Sequence, residues 1–246
     1  MIIGIDVGGS GIKGALVDLD TGQFASERLR IPTPKKSTPQ ACARTIVRII
    51  ERLAPDQDDL RIGITVPAPV VHGNIPMIAN LDQSWTDLPA QDFFTEQVGR
   101  PVTLINDADA AGLAEVYYGA AKGVSGIVVV TTLGTGIGSA VINNGVLLPN
   151  TEFGHMEVEG YDAESRASAA VREREDMTYH QWAKRLDTYY RALERLLWPD
   201  LFVVGGGVSK NHEQFLPLLH LRTPIIPAAL RNRAGIVGAA WAAAQG

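Results

Sequence analysis

Gly4-Ile5-Asp6-Val7-Gly8-Gly9-Ser10-Gly11-Ile12-Lys13-Gly14 decides how the rest of the chain is read. Its last six residues, Gly9 to Gly14, spell G-x-G-x-x-G, the dinucleotide fingerprint. That fingerprint needs a strand before it and a helix after it, so that the helix N-terminus meets a pyrophosphate. The strand is there, from Met1 to Ile5. No helix follows. Ala15-Leu16-Val17 runs into Asp18-Leu19-Asp20-Thr21-Gly22, a turn composition, and an alternating run from Phe24 to Ile31 comes next. The glycines therefore join two strands of a hairpin, and the dinucleotide reading is rejected. Free N–H groups at such a turn can make an anion-binding nest without a helix. The plainer alternative is a tight turn whose glycines only allow positive φ. Three glycines with Asp6 and Lys13 are more than that turn requires.

The same plan recurs in the second half. Strand-like runs 1–7 and 12–18 flank the first glycine turn, and runs 126–132 and 139–142 flank a second, Gly134-Thr135-Gly136-Ile137-Gly138. Between them lie a helix capped by Ser37 or Thr38 with Pro39 in its first turn, a strand at 61–66, an irregular segment at 70–90, a helix over Asp92–Val98, a strand at 102–105 and a helix over 108–121. Residues 163–198 read as mainly helical, with Thr178 and Gln181 as a capping box. A strand at 201–204 leads into Gly205-Gly206-Gly207, and an Ala-rich helix starts near 235. The expectation is an α/β chain of two related lobes, 1–107 and 108–234, around an interlobe cleft. The C-terminal helix, about 235–246, packs back on the first lobe. Ligands of such sheets bind beyond strand ends, where the glycine turns lie.

Composition narrows the partners. The chain has 246 residues, 46% hydrophobic and 20% charged, with a formal net charge of −5. A general nucleic-acid grip through a basic surface is disfavoured. One cysteine, Cys42, permits no intramolecular disulfide and no cysteine zinc cluster, so no structural zinc is expected. It reads as a buried thiol. No apolar run is long enough to span a membrane, and the first residues carry no basic start or cleavage region, which points to a cytoplasmic protein.

Several polar groups have the chemistry of a phosphoryl-transfer site. Gly8, Gly9, Ser10 and Lys13 in the first turn, and Gly134, Thr135 and Gly136 in the second, suit phosphate oxygens, so two facing turns could clamp a phosphate chain. No P-loop sequence is present. Asn106-Asp107-Ala108-Asp109 ends a short apolar strand. A carboxylate there can accept a hydroxyl proton, or Asp107 or Asp109 can simply cap the next helix. Both readings stand. Glu152-Phe153-Gly154-His155 can hold vicinal hydroxyls, bind a metal, or be a surface loop. Arg166, Arg172 and Arg174, with Lys210, Arg222, Arg231 and Arg233, could track a polyanion, or could pair with Glu164, Glu173 and Glu175 on solvated faces.

The ordered set as a whole resembles the ROK family of sugar kinases. It comprises Asp6-Val7-Gly8-Gly9-Ser10, Asn106-Asp107-Ala108, Leu133 to Gly138, Glu152-Phe153-Gly154-His155 and Gly205-Gly206-Gly207-Val208-Ser209, spread over nearly the whole chain. The resemblance implies the actin-like, hexokinase-like (ribonuclease H-like) fold. It implies Asp107 as the base that takes the proton of a sugar 6-hydroxyl, and Asn80, Asn106, Glu152 and His155 as sugar contacts. Asp6 then lies near a Mg²⁺–phosphate end, and Gly205 to Gly207 on the nucleotide or phosphate-chain side. Many members carry a cysteine-rich zinc motif after the Gly-His pair. Here Val158 to Ser168 has no cysteine, while Glu164 matches the sugar-binding carboxylate in that motif's tail. The zinc-free form, Pro199-Asp200-Leu201-Phe202 and Leu230-Arg231-Asn232 resemble the polyphosphate glucokinase branch. Its members phosphorylate glucose with inorganic polyphosphate, often with ATP as well. A homodimer is a family expectation. The alternatives are an ATP-dependent glucose or mannose kinase, a sugar-responsive repressor, which would need a DNA-binding domain ahead of the first strand, and a filament-forming ATPase, which would have no use for the Glu152–His155 pair.

Overall fold

The computed structural model describes every residue except 56 and 58. The chain divides into two compact units, Met1–Ala110 with Arg233–Gly246, and Ala111–Asn232. In the first, β1 (Ile2–Gly8) and β2 (Gly11–Asp18) form an antiparallel hairpin closed at Gly8 and Gly11. The G-x-G-x-x-G stretch is thus a strand–turn–strand element. β3 (Gln23–Phe24) and β4 (Leu29–Ile31) both pair with β2. The single strand expected over 24–31 is therefore two. Between them Ser26 Oγ accepts the Leu16 N–H at 3.0 Å, so a side chain stands where a strand partner would.

α1 (Pro39–Leu53) follows, and its cap is Thr38, whose hydroxyl accepts the Ala41 N–H. Ser37 is used elsewhere, accepting Asp82 N–H with its hydroxyl and Trp85 Nε1–H with its carbonyl. α1 buries Cys42, Ile46, Ile49 and Ile50 against the sheet. Each such isoleucine contributes about 1.5–3 kcal/mol. Burial pushes the Cys42 thiol up to about 11, as the reading of an inert buried thiol requires. β5 (Ile62–Val66), α2 (Ala90–Val98) and β6 (Val102–Asn106) complete the unit, with β1, β5 and β6 running parallel. α3 (Asp107–Tyr118) starts directly at the end of β6.

The second unit repeats the opening. β7 (Ile127–Leu133) and β8 (Ile137–Asn143) are antiparallel around Gly134–Gly136, and β9 (Val146–Leu148) forms the edge. A small hairpin of β10 (Glu157–Val158) and β11 (Tyr161–Asp162) leads into α4 (Glu164–Ala167), α5 (Ala169–Arg174) and α6 (Tyr179–Leu197). The helical stretch is interrupted at Ser168, which is extended and caps α5. The Thr178–Gln181 capping box opens α6. α6 buries Trp182, Leu186, Tyr189, Tyr190 and Leu193, which pack with Phe202 and Phe215. β12 (Leu201–Gly205) and β13 (Ile225–Pro227) extend the sheet in parallel with β7.

α7 (Ala234–Gln245) belongs to the first unit and lies on β1 and β5 at glycines. A Cβ on Gly4 would sit 2.0 Å from the Ile236 carbonyl oxygen, and one on Gly63 would sit 1.9 Å from that of Ala239. Only glycine permits that approach. Among the described residues, no helix is long and apolar enough to cross a membrane.

Candidate active site

In the first unit, candidate groups gather at the C-terminal ends of β1, β5 and β6. Asp6 stands opposite Lys13 on β2 and Thr65 on β5. Residues opposite one another in register share a face, so the three side chains meet. Lys13 Nζ donates to Asp6 Oδ2 at 2.9 Å, and Thr65 Oγ1 donates to Asp6 Oδ1 at 3.1 Å. The charge of Lys13 is thus met by Asp6 within the sheet. The turn beyond has an exposed two-residue tip, Gly9-Ser10. Arg30, placed beside Lys13 by β4, donates to the Ser10 carbonyl at 3.0 Å, and Thr33 donates to the Gly8 carbonyl. Exposed Asn80 brings its carbonyl to within 3.6 Å of where a Gly9 Cβ would be. Thr65 and Arg30 carry no local sequence signal, because strand pairing alone brings them beside Asp6 and Lys13, and Thr33 follows just beyond the end of β4.

No glycine of either turn has a left-handed φ, neither Gly8, Gly9 and Gly11 nor Gly134 and Gly136. The positive-φ explanation for these glycines is therefore set aside.

At the end of β6, Asn106 is buried and caps α3. Its Oδ1 accepts Ala108 N–H at 2.8 Å and Asp109 N–H at 3.0 Å, while its Nδ2 donates to the Ala68 carbonyl at 3.1 Å. The cap expected of Asp107 or Asp109 is thus supplied by the residue before them. Asp107 is the first residue of the helix and half-buried, where the helix N-terminus favours a negative charge. Asp109 is buried.

In the second unit, Gly134 N–H donates to the Gly136 carbonyl at 3.0 Å within the turn. Glu164 Oε2 accepts Ile137 N–H at 2.9 Å, and a Cβ on Gly136 would lie 2.2 Å from that oxygen. Buried Ser139 donates to the Thr151 carbonyl at 2.6 Å and accepts Phe153 N–H at 2.9 Å, which fixes the chain on both sides of Glu152. A single 3₁₀ turn, Phe153–His155, follows. His155 Nδ1 lies 2.9 Å from Asp162 Oδ2, and Asp162 Oδ1 accepts Ser165 N–H at 3.1 Å. His155, Asp162 and Glu164 each offer an atom within 4.8 Å of the others, a grouping able to hold a metal ion.

Electrostatics follow from that crowding. Desolvation raises the Glu152 pKa, His155 lowers it in part, and Glu164 adds to the rise. The pKa of His155 is raised by its hydrogen bond to Asp162, against partial burial, with Glu164, Asp162 and Glu152 all favouring the imidazolium. Gly205 stands opposite Thr132 on β7, and Gly206 packs on Leu133. With φ of +83° and a Cβ position 2.2 Å from the Leu133 carbonyl oxygen, position 206 accepts only glycine. The glycine triplet therefore adjoins the second turn. Arg174 lies 3.9 Å from Glu175, the acid pairing that the sequence allowed, and other arginines lie over rings. Arg166 lies over Tyr161 at 4.3 Å, Arg172 over Tyr179 at 4.0 Å and Arg222 over Trp198 at 4.2 Å.

The model of the ROK family matches residues 2–175. The chain belongs to the ROK family. It is 52% identical over 240 residues to a polyphosphate glucokinase of Mycobacterium tuberculosis, covering 97% of this chain and 89% of that one. It is 26% identical over 312 residues to a glucokinase of Streptomyces coelicolor, covering 98% and 96%. Among solved structures it is similar to the inorganic polyphosphate/ATP-glucomannokinase of Arthrobacter sp. strain KM, with 48% identity, a TM-score of 0.93, and 99% and 98% of the two chains covered. The fold is the hexokinase-like, actin-like fold of ROK sugar kinases.

Proposed function

We propose that this chain transfers a phosphoryl group from inorganic polyphosphate to the 6-hydroxyl of glucose, with ATP as a second donor. The observation that carries the reading is the 52% identity to a polyphosphate glucokinase over 97% of the chain. The polar groups described above supply the chemistry. Phosphoryl transfer asks a protein mainly to position reactants and neutralise charge, plus a base for the nucleophile. Asp107 is that base. Its place at a helix N-terminus, next to the rigidly bonded Asn106, suits a positioned carboxylate. Glu152, His155 and Glu164 hold sugar hydroxyls, with Asn80 and the remaining amide hydrogen of Asn106. Gly8, Gly9, Ser10 and Lys13, with Gly134, Thr135 and Gly136, receive the donor's phosphates, and Gly205–Gly207 flank the chain or nucleotide. The basic residues from Arg166 onward serve as a track for the longer anion.

Phosphoryl transfer of this kind calls for a divalent cation, and Mg²⁺ is the one proposed. It takes one or two carboxylates and leaves room for donor phosphates and water. Asp6 fits that demand. It is a hard oxygen donor, part-exposed at 19%, and its two hydrogen bonds leave lone pairs to spare. When bound, the ion would neutralise donor charge. Chelation by EDTA should abolish turnover, and added Mg²⁺ should restore it. A cytoplasmic setting suits the single buried thiol, and homodimerisation suits the exposed Val146 and Leu148 on edge strand β9.

The second reading, an ATP-dependent kinase of glucose or mannose, is favoured by the Arthrobacter relative's name, which includes ATP and mannose. The deciding experiment measures glucose 6-phosphate formation by purified protein with polyphosphate and with ATP at matched phosphoryl concentration. Faster turnover with polyphosphate is expected. Activity with ATP alone would defeat the donor assignment and leave the kinase reading standing.

A further inference from the structure

The β10–β11 hairpin exists over only four paired residues, yet it delivers one carboxylate to His155. Glu159 and Gly160 both adopt positive φ at its tip, and Ala163 N–H donates to the Met156 carbonyl at 3.0 Å to close its base. Asp162 is then held at three points. Its Oδ1 accepts Ser165 N–H at 3.1 Å, its carbonyl accepts Ser165 Oγ–H at 2.6 Å, and its Oδ2 meets His155 Nδ1 at 2.9 Å. Taking the proposed function as given, we infer that Asp162 is a positioning residue that fixes the ring and tautomer of His155 for binding a sugar hydroxyl.

The argument is one of donors and acceptors. A carboxylate only accepts, so the proton of a neutral His155 must sit on Nδ1. Nε2 is then the ring nitrogen left for substrate, and in the neutral ring it is an acceptor. Three acids face the imidazole, Asp162, Glu164 and Glu152. Glu164 has one oxygen committed to the Ile137 N–H. Of these three, Asp162 is the one hydrogen-bonded to the ring, and it is also the largest cause of the raised pKa. Removing it would release the ring to rotate and to exchange tautomers.

The test compares wild type, Asp162→Asn and Asp162→Ala. Imidazole ¹⁵N–¹H NMR of ligand-free protein, with His155→Gln for assignment, reads the tautomer and titration. Initial rates over pH read glucose KM and kcat. The neutral wild-type ring is expected to carry its proton on Nδ1. In Asp162→Asn, which keeps an oxygen for Ser165, the His155 titration should move down toward 6.5. Asp162→Ala should raise glucose KM about tenfold, the size of losing a hydrogen bond to a charged group, while kcat changes less than about threefold. A neutral wild-type ring protonated on Nε2 would overturn the inference. So would an unmoved His155 titration in both variants. If wild type forms no glucose 6-phosphate with either donor, the proposed function fails, and NMR still decides the pair.

Discussion

The two glycine turns look alike in sequence and are held in opposite ways. The first is gripped from outside by a cation and a hydroxyl, with Arg30 on the Ser10 carbonyl and Thr33 on the Gly8 carbonyl. The second is held by an anion, Glu164 on the Ile137 N–H, and backed by Gly206 against Leu133. One glycine in each turn, Gly11 and Gly136, is set by clearance rather than by dihedral freedom. A Cβ at Gly11 would lie 2.8 Å from Arg30 Nε, and one at Gly136 2.2 Å from Glu164 Oε2. The first turn is thus tied to the Asp6–Lys13 pair and its flanking cation. The second shares a carboxylate with the proposed sugar set, so its shape and the sugar contacts cannot vary independently.

The largest expected effect tests whether the chemical step belongs to the first unit's residues. Asp107→Asn should fold normally and lose roughly 10²–10⁴ in kcat, the usual range for a positioned base, with glucose KM nearly unchanged. Near-normal turnover would remove Asp107 from the mechanism.

Next comes the contrast between neighbouring glycines of the second turn. Gly136→Ala must push Glu164 away and break its bond to Ile137, because the flexible carboxylate end is what gives. A stability loss of about 1 kcal/mol and a glucose KM raised about tenfold should follow. Gly134→Ala meets nothing within 4 Å and should stay within about 0.5 kcal/mol of wild type. Equal glucose KM in the two variants would break the link between turn and sugar set. The matching change at the first turn, Arg30→Ala, should raise KM for polyphosphate several-fold and leave that for glucose alone, since an exposed cation contributes little.

The parts that were legible were those written in consecutive residues. Strand, glycines and strand gave both hairpins, and the Thr178–Gln181 spacing gave the start of α6. The sequence offers Asp107 or Asp109 as a cap of α3 as readily as Asn106, because Asn and Asp compete equally for an N-cap and only the strand end decides. Asp162 carries no local signal for a different reason. Its two-residue strands are too short for a period, and its partner lies seven positions back. Arg30 and Thr65 reach the first turn only through register.

The smallest effect discriminates the two regions by pH. His155 has its pKa raised above the ordinary 6.5, so its contribution to stability is complete below that value and is lost as pH rises through the folded-state pKa. Glu152 is also raised, from 4.5, by desolvation, so its protonated form persists further in the folded protein and stability again falls with rising pH, starting lower. Chemical denaturation followed across pH 5–8.5 should therefore show a decline above 6.5 that His155→Gln removes, and an earlier one that Glu152→Gln removes. The His155–Asp162 side chains are 53% and 42% exposed, so solvent screening holds the first of these to at most about 1 kcal/mol. The first turn and its partners, Asp6, Lys13, Arg30, Thr33 and Thr65, include no histidine. Arg30→Ala should accordingly leave the decline above 6.5 intact. If that decline survives His155→Gln instead, another group causes it, and the imidazole–carboxylate bond does not set the pH dependence of folding.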